Sequence, residues 1–259
     1  MKGIWAITVL TIRDGIRGKS WLPLIVAALF CALLLWLGFD HRNFGSGKPQ
    51  LGNFNAISSL FYFWSWGCLF TAVCVGSASI PRERRTPMLF TLPLTRWELA
   101  LGKLIGAQLL SAAFLALGFG LSSGLAVLSG VPVTAYSGLS FATALTVSFV
   151  YLCLSIPLGA WLSPVIVGTI TVIAEAQSTV VEGMAKAHLI SGNGLTKALG
   201  YLLPWTIPGE PIRGAFFHGT HASGADFAGL LLNAFFGVIF FIGLTFLMRR
   251  GELSMRDSS

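Results

Sequence analysis

The sequence predicts an all-α membrane protein: six transmembrane helices, an amphipathic helix before the first, and an external or re-entrant segment before the last. Three observations predict it. Of 259 residues 54% are hydrophobic and 10% charged, and the mean hydropathy is +0.77; an ordinary soluble domain carries about 25% charged residues. Apolar runs of roughly 20 residues recur along the chain, the length a helix needs to cross about 30 Å of hydrocarbon. Lys and Arg gather at the ends of those runs, where lipid headgroups lie. Together they indicate one integral domain over residues 1–259, with the bilayer as its main solvent.

Residues 3–18 come first. Trp5, Val9, Ile12 and Ile16 recur at helical spacing while Arg13 and Arg17 share another face, the pattern of an elbow helix lying in the membrane interface. The alternative is a plain cytoplasmic extension of the first span. The spans follow at about 21–39, 57–80, 104–129, 139–162, 164–185 and 227–248. The first apolar run begins after Arg13, Asp14, Arg17 and Lys19 and closes on no small-residue cleavage site, so it reads as retained, not as a signal peptide. Spans four and five are parted by a tight turn near Ser163-Pro164, because proline disfavours helix in the residue before it. Residues 186–226 mix Gly, Pro, His and charge with short apolar pieces and read as external.

An even number of spans puts both termini on one side. Lys2, Arg13, Arg17, Lys19, Arg82, Arg84, Arg85, Arg96, Lys103, Arg249, Arg250 and Arg256 share that side, against Arg42, Lys48, Lys186, Lys197 and Arg213 opposite. The positive-inside rule makes it the cytoplasmic side of a bacterial inner membrane. The same placement accounts for the net charge of +7 without nucleic acid, which is not expected as a partner. Cys31, Cys68, Cys74 and Cys153 lie in apolar runs without a CxxC pair, so they read as small apolar fillers.

The stretch from Pro81 to Lys103 is basic and carries three prolines, yet it contains Met88, Leu89, Phe90, Leu92 and Leu94. A solvated loop has little use for such side chains. A short helix docked on a partner does, with apolar knobs filling a groove and charges setting register; a loop lying among headgroups is the alternative. Glu83, Pro93-Leu94-Thr95-Arg96-Trp97-Glu98 and Gly102-Lys103 stand where permeases of the type-2 ABC exporter class carry a glutamate after span two, a Pro-Val/Leu-Ser/Thr-Arg-x-Glu stretch and a Gly-Lys opening span three. The chain resembles that class. Its Arg13-Asp14-Gly15-Ile16-Arg17 is similar to the elbow of members associated with nitrous-oxide-reductase maturation. Arg85-Thr86-Pro87 departs from the class, which has Gly-Thr-Leu-Glu there.

The resemblance implies an exporter's permease subunit, paired with a second permease, identical or homologous, above two copies of a separate ATPase that holds ATP and Mg. It implies that residues 82–98 form the coupling helix, with Glu83, Met88, Leu89, Phe90, Leu92, Pro93, Thr95, Arg96 and Glu98 meeting the ATPase, and that spans 1, 2 and 5 line the path. The chain lacks a phosphate loop of its own: Gly18-Lys19-Ser20 matches the tail of one, but the position five before Gly18 is Arg13. No cofactor is expected in the chain itself.

Within the membrane, Glu175 falls roughly 16 Å beyond Pro164 along a helix, near mid-depth, and Glu182 follows on much the same face with Ser178 and Thr179 between. This stripe either lines a pathway or dimer interface or fastens helices together by hydrogen bonds. His218 and His221 have a ligand spacing but sit among glycines, so no metal site is expected and they are weak candidates. Trp36, Trp64, Trp66, Trp161 and Trp205 read as interfacial anchors, although Trp64 and Trp66 lie deep enough in span two to face a hydrophobic substrate. An intramembrane enzyme would need a base at depth, and His41, His188, His218 and His221 all fall in external segments. A non-transporting scaffold that docks a cytosolic partner is the remaining alternative.

Overall fold

A computed structural model describes residues 2–17, 22, 25, 26, 28–30, 33, 51–84, 95–128, 133, 135–171 and 224–247. The regular structure among the described residues is helical throughout. Among the described residues five long helices stand out: α1 (Lys2–Arg17), α2 (Leu51–Arg84), α3 (Arg96–Leu128), α4 (Ala135–Leu158) and α5 (Gly224–Leu247). Positions described between 22 and 33 are helical, as are residues 164–171. Among the described residues three helices hold stretches long and apolar enough to cross a membrane: Leu60–Ile80, Trp97–Leu128 and Ser137–Leu158. They correspond to the expected spans 57–80, 104–129 and 139–162. The expected spans 21–39 and 164–185 are described only in part, and residues 186–223 lie outside the described residues.

Lipid offers no hydrogen bonds, so a spanning chain must satisfy its own backbone, and a helix does so within one segment. Hydroxyls face the same constraint and meet it by donating to carbonyls one turn back. Ser65 donates to Phe61 O at 2.8 Å, Thr71 to Gly67 O at 2.8 Å, Thr143 to Leu139 O at 2.9 Å and Thr171 to Val167 O at 2.8 Å. These helices turn such hydroxyls inward at low cost, whereas the hydroxyls of Ser111, Ser122, Ser123, Ser155 and Thr245 are buried without a partner. Outward they are apolar: Leu117, Leu121, Leu231, Phe235 and Phe246 are all exposed, an arrangement that water would penalise and acyl chains would not.

Both α2 and α3 are too long for the bilayer alone. With 34 and 33 residues each measures about 50 Å, against about 30 Å of hydrocarbon. Charge marks one end of each, since Arg82, Glu83 and Arg84 finish α2, and Arg96, Glu98 and Lys103 occupy the first turns of α3, while residues 51–59 extend α2 beyond its apolar stretch at the other end. These two ends form the base of the bundle. From Leu104 to Leu128 α3 carries no charged residue.

The buried apolar residues above that base form three clusters, the smallest joining Leu69 and Val73 of α2 to Val147 and Tyr151 of α4. The larger core joins Ile7 of α1, Val75 and Ile80 of α2, Leu104 and Leu110 of α3, Leu152 and Ile156 of α4 and Phe241 of α5. Farther along, Phe61 and Cys68 of α2 meet Leu115 of α3 and Ala144 of α4, with Trp64, Phe119 and Phe141 around them. Helix α3 is central, touching α1, α2 and α4, while α5 packs mainly on α4.

α4 ends at Leu158, and the turn that follows is held by Ala160 N–H donating to Pro157 O (3.0 Å) and Trp161 N–H to Leu158 O (3.0 Å). Ser163 then caps the next helix, its hydroxyl accepting from Ile166 N–H at 3.4 Å, and Pro164 opens it, a position where proline's missing N–H costs nothing. The turn expected near Ser163-Pro164 is thus present.

Helix α1 meets α3 through small residues. A side chain on Gly102 would place its Cβ 2.7 Å from Ile7 Cβ, and one on Gly106 would place it 2.7 Å from Thr11 Cβ and 2.9 Å from Thr8 O. Gly15 in turn faces Leu110. The contacts advance four residues at a time on both helices in the same direction, so α1 runs parallel to the base of α3, as small-xxx-small pairs do. Substituting Gly106→Leu should therefore lower stability by roughly 1–3 kcal/mol. Gly120→Leu, where nothing lies within 4 Å of a new Cβ, serves as the control and should not. Thermal or SDS unfolding of the two variants in detergent checks this.

Candidate functional site

The charged side chains among the described ones are Arg13, Asp14, Arg17, Glu98 and Lys103, and all belong to α1 or to the first turns of α3. These side chains lie at one end of the described bundle. Here α2 stops, α3 starts and α1 lies alongside.

The start of α3 is built by a capping box. Thr95 is non-helical, and its hydroxyl accepts from Glu98 N–H at 3.2 Å. The Glu98 carboxylate reaches back to accept from Thr95 N–H at 3.0 Å and from the Thr95 hydroxyl at 3.1 Å. Two donors that a helix N-terminus leaves unsatisfied are thereby paired. Glu98, singled out from the sequence as a residue that meets a partner, thus has a structural role, since it fixes where α3 begins. The expected coupling segment 82–98 divides accordingly. Glu83 lies in the last turn of α2, Arg96 and Glu98 lie in the first turn of α3, and Thr95 is the break before it. Met88, Leu89, Phe90, Leu92 and Pro93 lie outside the described residues.

Seven residues into α3, at Gly102, α1 is seated. The Thr8 hydroxyl lies between two carbonyls, 2.9 Å from Ile4 O in its own helix and 3.2 Å from Gly102 O in α3. Thr11 donates to Ile7 O at 2.8 Å. Lys103, the second residue of the Gly-Lys pair, is buried beside this contact at 3% exposure. The elbow's apolar stripe is placed elsewhere: Trp5, Val9 and Ile16 are exposed, and Ile12 is half-buried. At about 100° per residue that stripe lies roughly a third of a turn from the Ile7–Thr11–Gly15 contact, with Arg13 and Arg17 exposed a further quarter turn round. One side of α1 is taken by protein, one is free for acyl chains and one for headgroups or water.

Trp64 is neither an interfacial anchor nor open to substrate. Its indole N–H donates to Phe114 O at 2.7 Å, and its ring lies against Gly118, where any side chain would collide with it. It ties α2 to α3. Trp161, by contrast, is exposed in the turn after α4. A second tie escapes a reading of the sequence: Gln108 donates from its amide to Leu145 O of α4 at 3.2 Å, while its amide oxygen is buried without a partner. Gly102-x-x-x-Gly106, likewise unremarked there, is legible as a small-xxx-small pair within an apolar helix and marks where α1 docks.

Glu175, Ser178, Thr179 and Glu182 lie outside the described residues, as do His218 and His221. Cys68, Cys74 and Cys153 form no disulfide among the described residues, and no three described His, Cys, Asp or Glu side chains come together as a metal site would require. What the base offers is mechanical: two long helices, one capped at its first residue, and a third strapped across a glycine pair.

Removing the cap should loosen that base locally. Thr95→Ala is expected to speed amide exchange at residues 96–99 by about fivefold, and Thr95→Ser to leave it unchanged. Glu98→Gln should also be silent because glutamine completes a capping box, whereas Glu98→Lys should not. Hydrogen–deuterium exchange of the four variants reads this directly. No protein-family model and no curated protein compared with the chain matches it.

Proposed function

We propose that the chain is the permease subunit of a type-2 ABC exporter, resident in a bacterial inner membrane and driven by ATP hydrolysed on a separate subunit. The observation that carries this reading is the construction of the base. Residues 85–94, with the apolar Met88, Leu89, Phe90 and Leu92, join the end of α2 to the capped start of α3, and α1 is packed against α3 within about two turns of that cap. A load applied to residues 85–94 enters two spanning helices and, through Gly102 and Gly106, the elbow. Three elements then move together.

In this mechanism two ATPase subunits close on ATP and Mg and push the connecting segments of two permeases, identical or homologous. Each permease half rocks as a body and alternates access to a path between the halves. Glu83 and Arg96 flank the docking segment, while Glu175, Ser178, Thr179 and Glu182 face the path or the dimer axis. Both termini are cytoplasmic and six spans are crossed. The elbow's exposed Trp5, Val9 and Ile16, flanked by Arg13 and Arg17, suit an interfacial position. The chain contributes neither nucleotide chemistry nor a cofactor.

The docking assignment is tested by purifying the tagged chain from its native membranes and assaying vanadate-sensitive ATP hydrolysis in the eluate. Leu92→Asp should reduce the co-purifying activity about tenfold or more, the cost of burying a carboxylate where an apolar anchor sat. Val133→Asp, an exposed residue beyond the far end of α3, should leave it intact. Equal activity in the two variants would remove residues 85–94 from the ATPase contact.

A further inference from the structure

Gln108 sits inside the apolar stretch of α3 and reaches across to α4, where its side-chain nitrogen donates to Leu145 O at 3.2 Å. A carbonyl can only accept, so the amide must turn its nitrogen toward Leu145 and its oxygen away. That same carbonyl accepts from the Ser148 hydroxyl of its own helix at 2.8 Å. The remaining amide oxygen, Oε1, is buried without a partner. Ser111 lies one turn farther along the same face of α3, at 3% exposure, and its hydroxyl is also buried without a partner. It does not return to a carbonyl of its own helix as the hydroxyls of Ser65, Thr71 and Thr143 do. One orphan is thus an acceptor, and the other is able to donate.

The two do not bond to each other. Residues three apart on a helix have Cβ atoms about 5–6 Å apart, and one water making two hydrogen bonds of about 2.8 Å spans such a gap. Buried polar groups left over by the protein are those that ordered water satisfies, and acyl chains offer them nothing. We propose that one water molecule is bound between α3 and α4, donating to Gln108 Oε1 and accepting from the Ser111 hydroxyl. Ser148 Oγ, held on the same carbonyl as the Gln108 nitrogen, is the acceptor for its second proton. The bridge lets an amide tie two spanning helices without stranding its own oxygen. The site does not depend on the exporter reading.

The test uses the full chain in phosphatidylcholine vesicles, labelled with ¹⁵N-glutamine and examined by solid-state NMR for magnetisation transfer from water. The chain has three glutamines, Gln50, Gln108 and Gln177, so the Gln108→Leu variant assigns the signal. Wild type should show transfer from water to the Gln108 side-chain amide, Ser111→Ala should weaken it about fivefold, and Ser65→Ala, whose hydroxyl is already paired, should not change it. No transfer in the wild type, or equal transfer in Ser111→Ala, would overturn the site. Circular dichroism checks that each variant is folded. Unfolding in SDS gives an independent reading from Gln108→Leu, Ser111→Ala and the double variant. Their effects on the unfolding constant should depart from simple multiplication by about threefold or more. Effects that multiply mean that Ser111 donates to Ala107 O instead, which also overturns the bridge.

Discussion

The close approach of α1 to the base of α3 is the contact on which the remainder depends. Glycine at 102 and 106 lets the carbonyls of Ile4 and Thr8 come down onto the α3 backbone, and the Thr8 hydroxyl is shared between Ile4 O and Gly102 O. No larger residue leaves room for that geometry. Without it α1 would be an amphipathic helix held by lipid alone, free to slide against a bundle it does not grip. With it, α1, α3 and the connection between α2 and α3 form one mechanical unit.

A second constraint, the absence of water in the bilayer, explains most of the interior. Hydroxyls such as those of Ser65, Thr71 and Thr143 are returned to their own helix, the Trp64 indole finds Phe114 O, and the Gln108 amide finds Leu145 O. The latter two bonds cross between helices, joining α3 to α2 and to α4 at different depths. Small residues set how close the backbones come, and these few polar ties set register. Charge gathers at the base, in α1, the end of α2 and the first turns of α3.

Much of this is legible in the residues. Hydropathy locates the three long spans to within a few residues at most ends, and the Ser163-Pro164 pair locates the turn between the fourth and fifth expected spans. The start of α3 is missed by about two turns, 104 against 96, because hydropathy reports the solvent around a side chain whereas Thr95 and Glu98 act on backbone donors. Glu98 has a role that hydropathy does not show but its spacing from Thr95 already describes, that of a cap. Trp64 misleads because an indole at an interface and one buried against a glycine look alike in composition. The exposed apolar stripe of α1 is legible as a face, but the helix has a second, buried side formed by Ile7, Thr8, Thr11 and Gly15, which no single periodicity reveals.

In the proposed mechanism force passes from a cytosolic ATPase through residues 85–94 into α3 and α1 as one body. Co-reconstitution of the chain with its ATPase in liposomes, comparing ATPase binding and vanadate-sensitive hydrolysis for wild type and Gly106→Leu, tests it most directly. Retained binding with lost stimulation of hydrolysis is the expected result, because the docking segment is intact while its grip on α1 is gone. Full stimulation in a folded Gly106→Leu variant would contradict coupling through this contact.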